Sequence, residues 1–235
     1  MFQAEWTGLL YSYLYALGIL GLGEVLYRVA DVPQFYARKF VHVAAGMWVF
    51  GIMMLFHRWH IGIIPFASFI VVNAIIWRYR LSKAVEPEHG APGTAYFALA
   101  ITLLFAVLWR PIGPDDYGPI AAAGAMALTW GDAMAAISGR LFGRHAYTVA
   151  GTMRTLEGSA VMFGVSFVTM LLVLLLLPGS FIAQSVTPLP LFRALFAALL
   201  GAAAATAAEA VTPRGLDNLS VPIAAAGVVW LVVAL

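Results

Sequence analysis

Long apolar runs separated by short polar links make up most of the chain. Eight segments, at roughly 7–27, 40–56, 61–77, 94–109, 119–138, 158–177, 191–211 and 219–235, carry very few charges. Each approaches the length of about 20 residues that a helix needs to cross the hydrocarbon core of a bilayer. Hydrocarbon offers no partner to a backbone N–H or C=O, so each such run must satisfy its own hydrogen bonds as a helix. The pattern predicts an all-α, polytopic integral membrane helical bundle of about eight spanning helices, in a single domain covering 1–235. Only His57, Arg58, Trp59 and His60 separate the second run from the third, so seven spans is the main alternative.

Composition agrees. Of 235 residues, 63% are hydrophobic and 10% charged, with 13 Lys+Arg against 11 Asp+Glu. A soluble domain carries about 25% charge, so a water-facing fold is excluded, and the polarity is too low for disorder. The absence of cysteine removes disulfides, thiolate metal sites and cysteine nucleophiles. The basic residues are dispersed, which argues against a nucleic-acid surface. The first run has no Lys or Arg before it and includes Glu5 near its start, so it reads as a retained helix and not as a signal peptide.

Charge placement gives an orientation. Ten of the 13 basic residues fall in the four odd-numbered links: Arg28, Arg38 and Lys39; Arg78, Arg80 and Lys83; Arg140, Arg144 and Arg154; and Arg214. By the positive-inside rule these loops are cytoplasmic and both termini lie on the opposite side. A bacterial-looking size suggests the cell (inner) membrane. Trp59, Trp77 and Trp109 fall near span ends, where interfacial aromatics belong.

An ionised side chain in a span costs roughly 2.5–3.5 kcal/mol on insertion scales and persists when paired or in a wet cavity. Glu24 precedes Arg28 by one turn and reads as a helix-end ion pair. Asp132 and Glu209 have no basic residue within a turn and read as site residues. Asn73 reads as structural, and His42 as either packing or site. The small residues from Gly201 to Ala208 read as close helix packing, and Asp115-Asp116 as a solvated turn after Pro114.

The odd loops share a chemistry. They hold Arg38-Lys39-Phe40-Val41-His42; Glu86, Glu88, His89, Gly90 and Gly93-Thr94; Gly131-Asp132 through Gly139, Arg140, Gly143 and Arg144 to Arg154-Thr155-Leu156-Glu157-Gly158-Ser159; and Pro213-Arg214-Gly215-Leu216-Asp217-Asn218. Glycines let backbone N–H groups approach an anion, and Arg clamps phosphate. Carboxylates beside them would repel phosphate unless a divalent cation intervenes, and Mg²⁺ suits one or two carboxylates plus phosphate oxygens. The set reads as a nucleotide–Mg²⁺ site, although Gly139 and Gly143 at a spacing of four also suit plain helix packing. The P-loop and protein-kinase signatures are absent.

The stretch Gly131-Asp132 to Gly139-Arg140-Leu141-Phe142-Gly143-Arg144, followed by Arg154-Thr155-Leu156-Glu157-Gly158-Ser159 and Phe163, resembles the polyprenol kinase family of CTP-dependent dolichol kinases, phytol kinases and fungal diacylglycerol kinases. Arg38-Lys39-Phe40-Val41-His42 with Gly46 is similar to its R-K-x-x-H element. Glu209, Pro213, Gly215, Asp217-Asn218 and Pro222 are similar to its C-terminal element. The motifs occupy 129–159, 38–46 and 209–222. The resemblance implies transfer of the γ-phosphate of a nucleoside triphosphate, usually CTP, to a lipid alcohol, and the short chain points to a prenol such as phytol, geranylgeraniol or farnesol. The family usually has Lys where this chain has Arg154.

On that basis Asp132, with Asp217 or Glu209, is expected to hold Mg²⁺. Arg140, Arg144 and Arg154 neutralise the triphosphate. Gly131, Gly139, Gly143 and Gly158 belong to the nucleotide site, as do Lys39, His42, Thr155, Ser159 and Asn218. Asp132 or Glu157 orients the acceptor hydroxyl. A cytidylyltransferase that forms a CDP-lipid, and a transporter, are the alternatives.

Overall fold

The computed structural model describes residues 2–82, 92–111, 115–149 and 151–234. Lys83, Glu86, Glu88, His89, Gly90 and Pro114 lie outside the described residues. The chain forms α1 (Phe2–Arg28), α2 (Gln34–Leu55), the short α3 (Trp59–Gly62), α4 (Ile64–Tyr79), α5 (Gly93–Leu108) and α6 (Gly118–Met126). A π-helical segment (Ala127–Asp132) leads into α7 (Ala133–Phe142), and a hairpin of β1 (Ala146–Val149) and β2 (Thr152–Thr155) precedes α8 (Leu156–Leu176), α9 (Leu191–Val211) and α10 (Asp217–Ala234). Among the described residues seven helical stretches are long and apolar enough to cross a membrane, with α3–α4 forming one and α6 through α7 another. The fourth expected run, α5, is an apolar helix of 16 residues, shorter than the other seven. The protein is an all-α integral membrane bundle.

The stretch Gly118–Phe142 is the axis of the bundle: 78% of its most apolar window is buried, against 11% for α1. Every residue of α6 is buried. A helix enclosed on all sides must be apolar all round, and Gly-Pro-Ile-Ala-Ala-Ala-Gly-Ala-Met meets that condition with side chains small enough to admit close neighbours. Helices α2, α5, α8 and α10 pack around it, α9 lies against α8 and α10, and α1 and α4 are outer helices resting on α2 and α5. The small residues from Gly201 onward do serve packing: a Cβ on Gly201 would meet Met170 of α8 and Val229 of α10.

On the side opposite the odd loops, Arg58 pairs with the buried Glu5, and the Arg110 guanidinium lies 4.5 Å from the Trp59 ring centroid. Asp116 corrects the expectation of a solvated turn. It is buried, and its Oδ1 accepts from the backbone N–H of Arg110 (3.0 Å) and of Gly118 (2.9 Å), which satisfies the first N–H of the central helix. Asp115 is exposed. Glu24 forms the expected pair, with Arg28 Nε 2.6 Å from its Oε2.

Gly46 of α2 has no room for a side chain, because a methyl there would overlap Thr129 of the π segment. Gly164 of α8 has open space where a Cβ would stand. Gly46→Val should therefore destabilise the bundle by about 1–3 kcal/mol through overpacking, while Gly164→Ala should leave it unchanged or slightly more stable. Thermal unfolding of the two variants in detergent, followed side by side, checks this.

Candidate active site

The odd-loop side opens into one cavity of about 580 Å³. Its lining brings together Lys39 and His42 from α2, Asp132 from the π segment, and Gly139 and Arg140 from α7. Arg154 and Thr155 come from β2, Gly158 and Ser159 from α8, Glu209 from α9, and Asp217 and Asn218 from α10. These residues span more than 170 positions of sequence and converge because α2, α5, α8 and α10 all begin at this end of the cavity. Phe35, Gly93, Thr155 and Asp217 mark those starts. The positive ends of four helix dipoles thus face one space, which suits an anion.

Two ion clusters structure the polar end. In the first, Lys39 Nζ donates to Asp132 Oδ2 at 2.6 Å. Asp132 is the last residue of the π segment, where the widened turn displaces the register of the side chains that follow. His42 holds that segment in place: its Nε2–H donates to the carbonyl of Leu128 at 3.0 Å and lies 3.8 Å from Asp132 Oδ2. Asp132 Oδ1 has no partner among the described residues.

In the second cluster, Arg154 reaches two carboxylates at once. Its Nη1 is 2.8 Å from Glu209 Oε1 and its Nη2 is 2.8 Å from Asp217 Oδ2. Burial would lower the pKa of the guanidinium, but Asp217 and Glu209 outweigh that and hold it above its ordinary value. Asp217 is engaged at both oxygens, since its Oδ1 also accepts from the backbone N–H groups of Gly215 and Asn218 at 2.9 Å each. Glu209 is not, because its buried Oε2 has no partner among the described residues. Around both clusters the cavity is lined by five cations (Arg38, Lys39, Arg140, Arg154 and Arg214) against three carboxylates.

Across 232 residues, 95% of this chain and 90% of the relative's length, the sequence is 30% identical to a phytol kinase of Synechocystis sp.. The chain belongs to the polyprenol kinase family. No protein-family model matches it and no solved structure does.

The remaining family-motif residues have positions that sequence alone did not show. Glu157 lies outside the cavity lining. Its carboxylate contacts His145 Nδ1 at 2.7 Å and accepts from the His145 backbone N–H at 3.3 Å, which braces the base of the hairpin. Arg144 is exposed and also outside the lining. Gly131 faces Ser166 and Met162 of α8, and Gly143 faces Thr155. Gly139 and Gly158 do line the cavity, and they also let α7 and α8 cross closely, since a Cβ on Gly158 would lie 3.6 Å from the Gly139 Cα. Thr155 caps α8, accepting from the Gly158 N–H at 3.1 Å, and Ser159 Oγ bonds the Tyr147 hydroxyl at 2.6 Å. Arg140 lies over the Phe35 ring at 4.6 Å. Asn73, expected to be structural, donates to the Thr94 carbonyl at 3.2 Å and lines the cavity as well.

Arg38 and Arg214 are lining residues missing from the expected site. Their signal was present, because both sit within the motif stretches at the mouths of odd loops. Arg214 Nη2 donates to the Met153 carbonyl at 3.2 Å and so ties the link between α9 and α10 to the hairpin.

Removing Arg154 would leave two buried carboxylates without their cation. Arg154→Ala should cost about 3–5 kcal/mol, and Glu209→Gln in that background should recover part of it by removing one of the two charges. The midpoints of thermal unfolding for the single and double variants provide the check.

Proposed function

We propose that this protein is a membrane kinase that transfers the γ-phosphate of a nucleoside triphosphate, CTP in our reading, to the hydroxyl of a prenol such as phytol, geranylgeraniol or farnesol. The observation that carries the proposal is the single cavity, cationic and ringed by helix N-termini at one end and apolar at the other, in a chain whose relative is a phytol kinase. Phosphoryl transfer needs little covalent chemistry from the protein; it needs positioning and neutralised charge.

The carboxylates fit a cation that enters on the nucleotide. Among the described residues no group of three or more His, Asp or Glu forms a ready-made metal cage, and Mg²⁺ characteristically uses one or two carboxylates plus substrate phosphates. Among the described residues Asp132 Oδ1 and Glu209 Oε2 have no partner, so Asp132 and Glu209 would hold the ion. Both Asp217 oxygens are occupied, which makes Asp217 the residue that fixes Arg154. When bound, Mg²⁺ would neutralise charge on the transferring phosphoryl group.

Arg38, Lys39, Arg140 and Arg214 line the route for the triphosphate, while Arg154 lines the same cavity with both terminal nitrogens engaged by Glu209 and Asp217. Asp132 is the carboxylate best placed to orient the acceptor hydroxyl, because it lies in the cavity where Glu157 does not. The orientation we propose puts this end of the cavity in the cytoplasm of a cell (inner) membrane, where nucleotide is available.

The purified protein in detergent or liposomes should transfer label from γ-labelled CTP to prenols in a Mg²⁺-dependent way and release CDP. Asp132→Asn should lower turnover at least about 10²-fold, the scale of a lost electrostatic or acid–base contributor. Pyrophosphate in place of CDP would identify a cytidylyltransferase, and full activity in Asp132→Asn would overturn the site.

A further inference from the structure

The cavity does not end at the ion clusters. It continues between α1, α2 and α4 as an apolar arm, whose lining on α2 runs from Lys39 and His42 through Ala45 to Trp48. His42 Nε2 lies 3.8 Å from Asp132 Oδ2, so depth past His42 measures depth past Asp132. Trp48 lies about 9 Å farther on, at about 1.5 Å rise per residue. An extended C20 prenol is about twice that length. An alcohol whose hydroxyl lies at Asp132 therefore reaches the floor of the arm with half of its chain still to place.

At the floor, the seam between α1 and α2 is sealed. The Tyr15 and Trp48 rings stack with centroids 4.2 Å apart, and the Tyr15 hydroxyl donates to the Ala44 carbonyl at 2.9 Å. The seam between α1 and α4 is different. These helices run parallel, tied at the floor by the Tyr13 and Ser68 hydroxyls, 3.1 Å apart, and beyond their odd-loop ends by Ser82 Oγ donating to Glu24 Oε1 at 2.6 Å. Between those ties Leu20 and Ile76 both pack on Val41 of α2. In this register Leu17 stands opposite Val72, yet Leu17 is 65% exposed and Val72 37%. Their neighbours Ala16 and Asn73 line the cavity. From Tyr13 to Leu20, a rise of about 10 Å, each helix thus carries a cavity-lining residue beside an outward-facing one. Among the described residues no hydrogen bond or ring contact joins the two helices between the Tyr13 tie and Leu20.

Resting on the kinase reading above, we infer that the stretch of α1 and α4 between Tyr13 and Leu20 is a lateral portal, through which the acceptor alcohol enters from the bilayer and through which the far half of a C20 chain stays in lipid during transfer. The occupant follows from continuity and length. The arm joins the space that holds Asp132, it is too short for the whole chain, and the one seam without ties at this level faces outward between two outer helices. Lipid tails are as apolar as a leucine-lined wall, so a chain half inside and half in the bilayer loses no hydrophobic stabilisation and the protein need not enclose it. The sealed floor then serves to turn the chain sideways, toward α4.

The test compares kcat/KM of the full-length protein in liposomes for geranylgeraniol and for geraniol, the C10 alcohol whose chain fits within the arm, with the nucleotide KM measured alongside. The chain has no cysteine of its own, so Leu17→Cys and Val72→Cys together can be bridged by a bifunctional methanethiosulfonate. Bridging should lower the ratio of geranylgeraniol to geraniol by about tenfold or more, the scale of one misfitting methylene group in an apolar pocket, and reductant should restore it. Ala16→Trp, which fills the portal from within, should lower the same ratio without a bridge. The nucleotide KM should stay put in both. If Ala16→Trp does not fold, the reversible bridge decides the matter alone. A ratio unchanged in the active, bridged protein would overturn the portal. A wild-type protein that phosphorylates neither alcohol would instead overturn the kinase reading itself.

Discussion

Two carboxylates from different helices, Glu209 on α9 and Asp217 on α10, share one guanidinium, and that guanidinium comes from outside the bundle on a two-strand hairpin. Each of the three ions would cost several kcal/mol to bury alone. Together they become tolerable, and their mutual need fixes three elements: the hairpin cannot leave without stranding two anions, and α9 and α10 cannot separate without stranding a cation. Asp217 strengthens the link by capping its own helix start with its other oxygen. Thr155, the next residue after Arg154, caps α8. The position of β2 thus also sets where α8 begins, and with it the face of the cavity that Gly158 and Ser159 form.

The central helix solves the complementary problem of placing a carboxylate deep in the molecule. Its first half is apolar and made of small residues, so neighbours close around it without leaving space for water. The π segment then changes the turn just where polar residues begin, and Asp132 emerges beside Lys39 and not against the packed wall. His42 stabilises the change by bonding a carbonyl within that segment. A regular helix would carry each following side chain to a different azimuth, so the local departure from α geometry and the position of Asp132 are one feature.

Much of the architecture was legible in the sequence, because a bilayer forces a simple rule on it: eight apolar runs became helices, and Gly139, Arg140, Arg154 and Gly158 of the odd loops line one cavity, whereas Gly131, Gly143 and Arg144 do not. The rest depended on geometry that residue spacing does not encode. Asp132 and Glu209 have no cation within a turn, yet both are paired, by Lys39 and Arg154 across long sequence separations. The hairpin 146–155 is short and only partly apolar, so it reads as loop until its strands pair. Glu157 shares a motif with Arg154 but follows the N-cap of α8, which turns it toward His145. Asp116 looked like one half of a surface dipeptide, and only the fold shows the two N–H groups that it accepts from.

The same geometry suits an arginine at 154. A guanidinium offers two terminal nitrogens in a fixed plane, and here each meets a different carboxylate at 2.8 Å. An ammonium is a point charge with no such fork, and it would have to sit between the two carboxylates or choose one. With arginine, Glu209 and Asp217 are held by separate nitrogens, so a change at one need not release the other. That separation matters because the two carboxylates are not equivalent: Asp217 has both oxygens engaged, whereas among the described residues Glu209 Oε2 has no partner. The fork therefore anchors the hairpin through Asp217 and holds Glu209 by only one of its oxygens, a division of labour that one ammonium could not maintain.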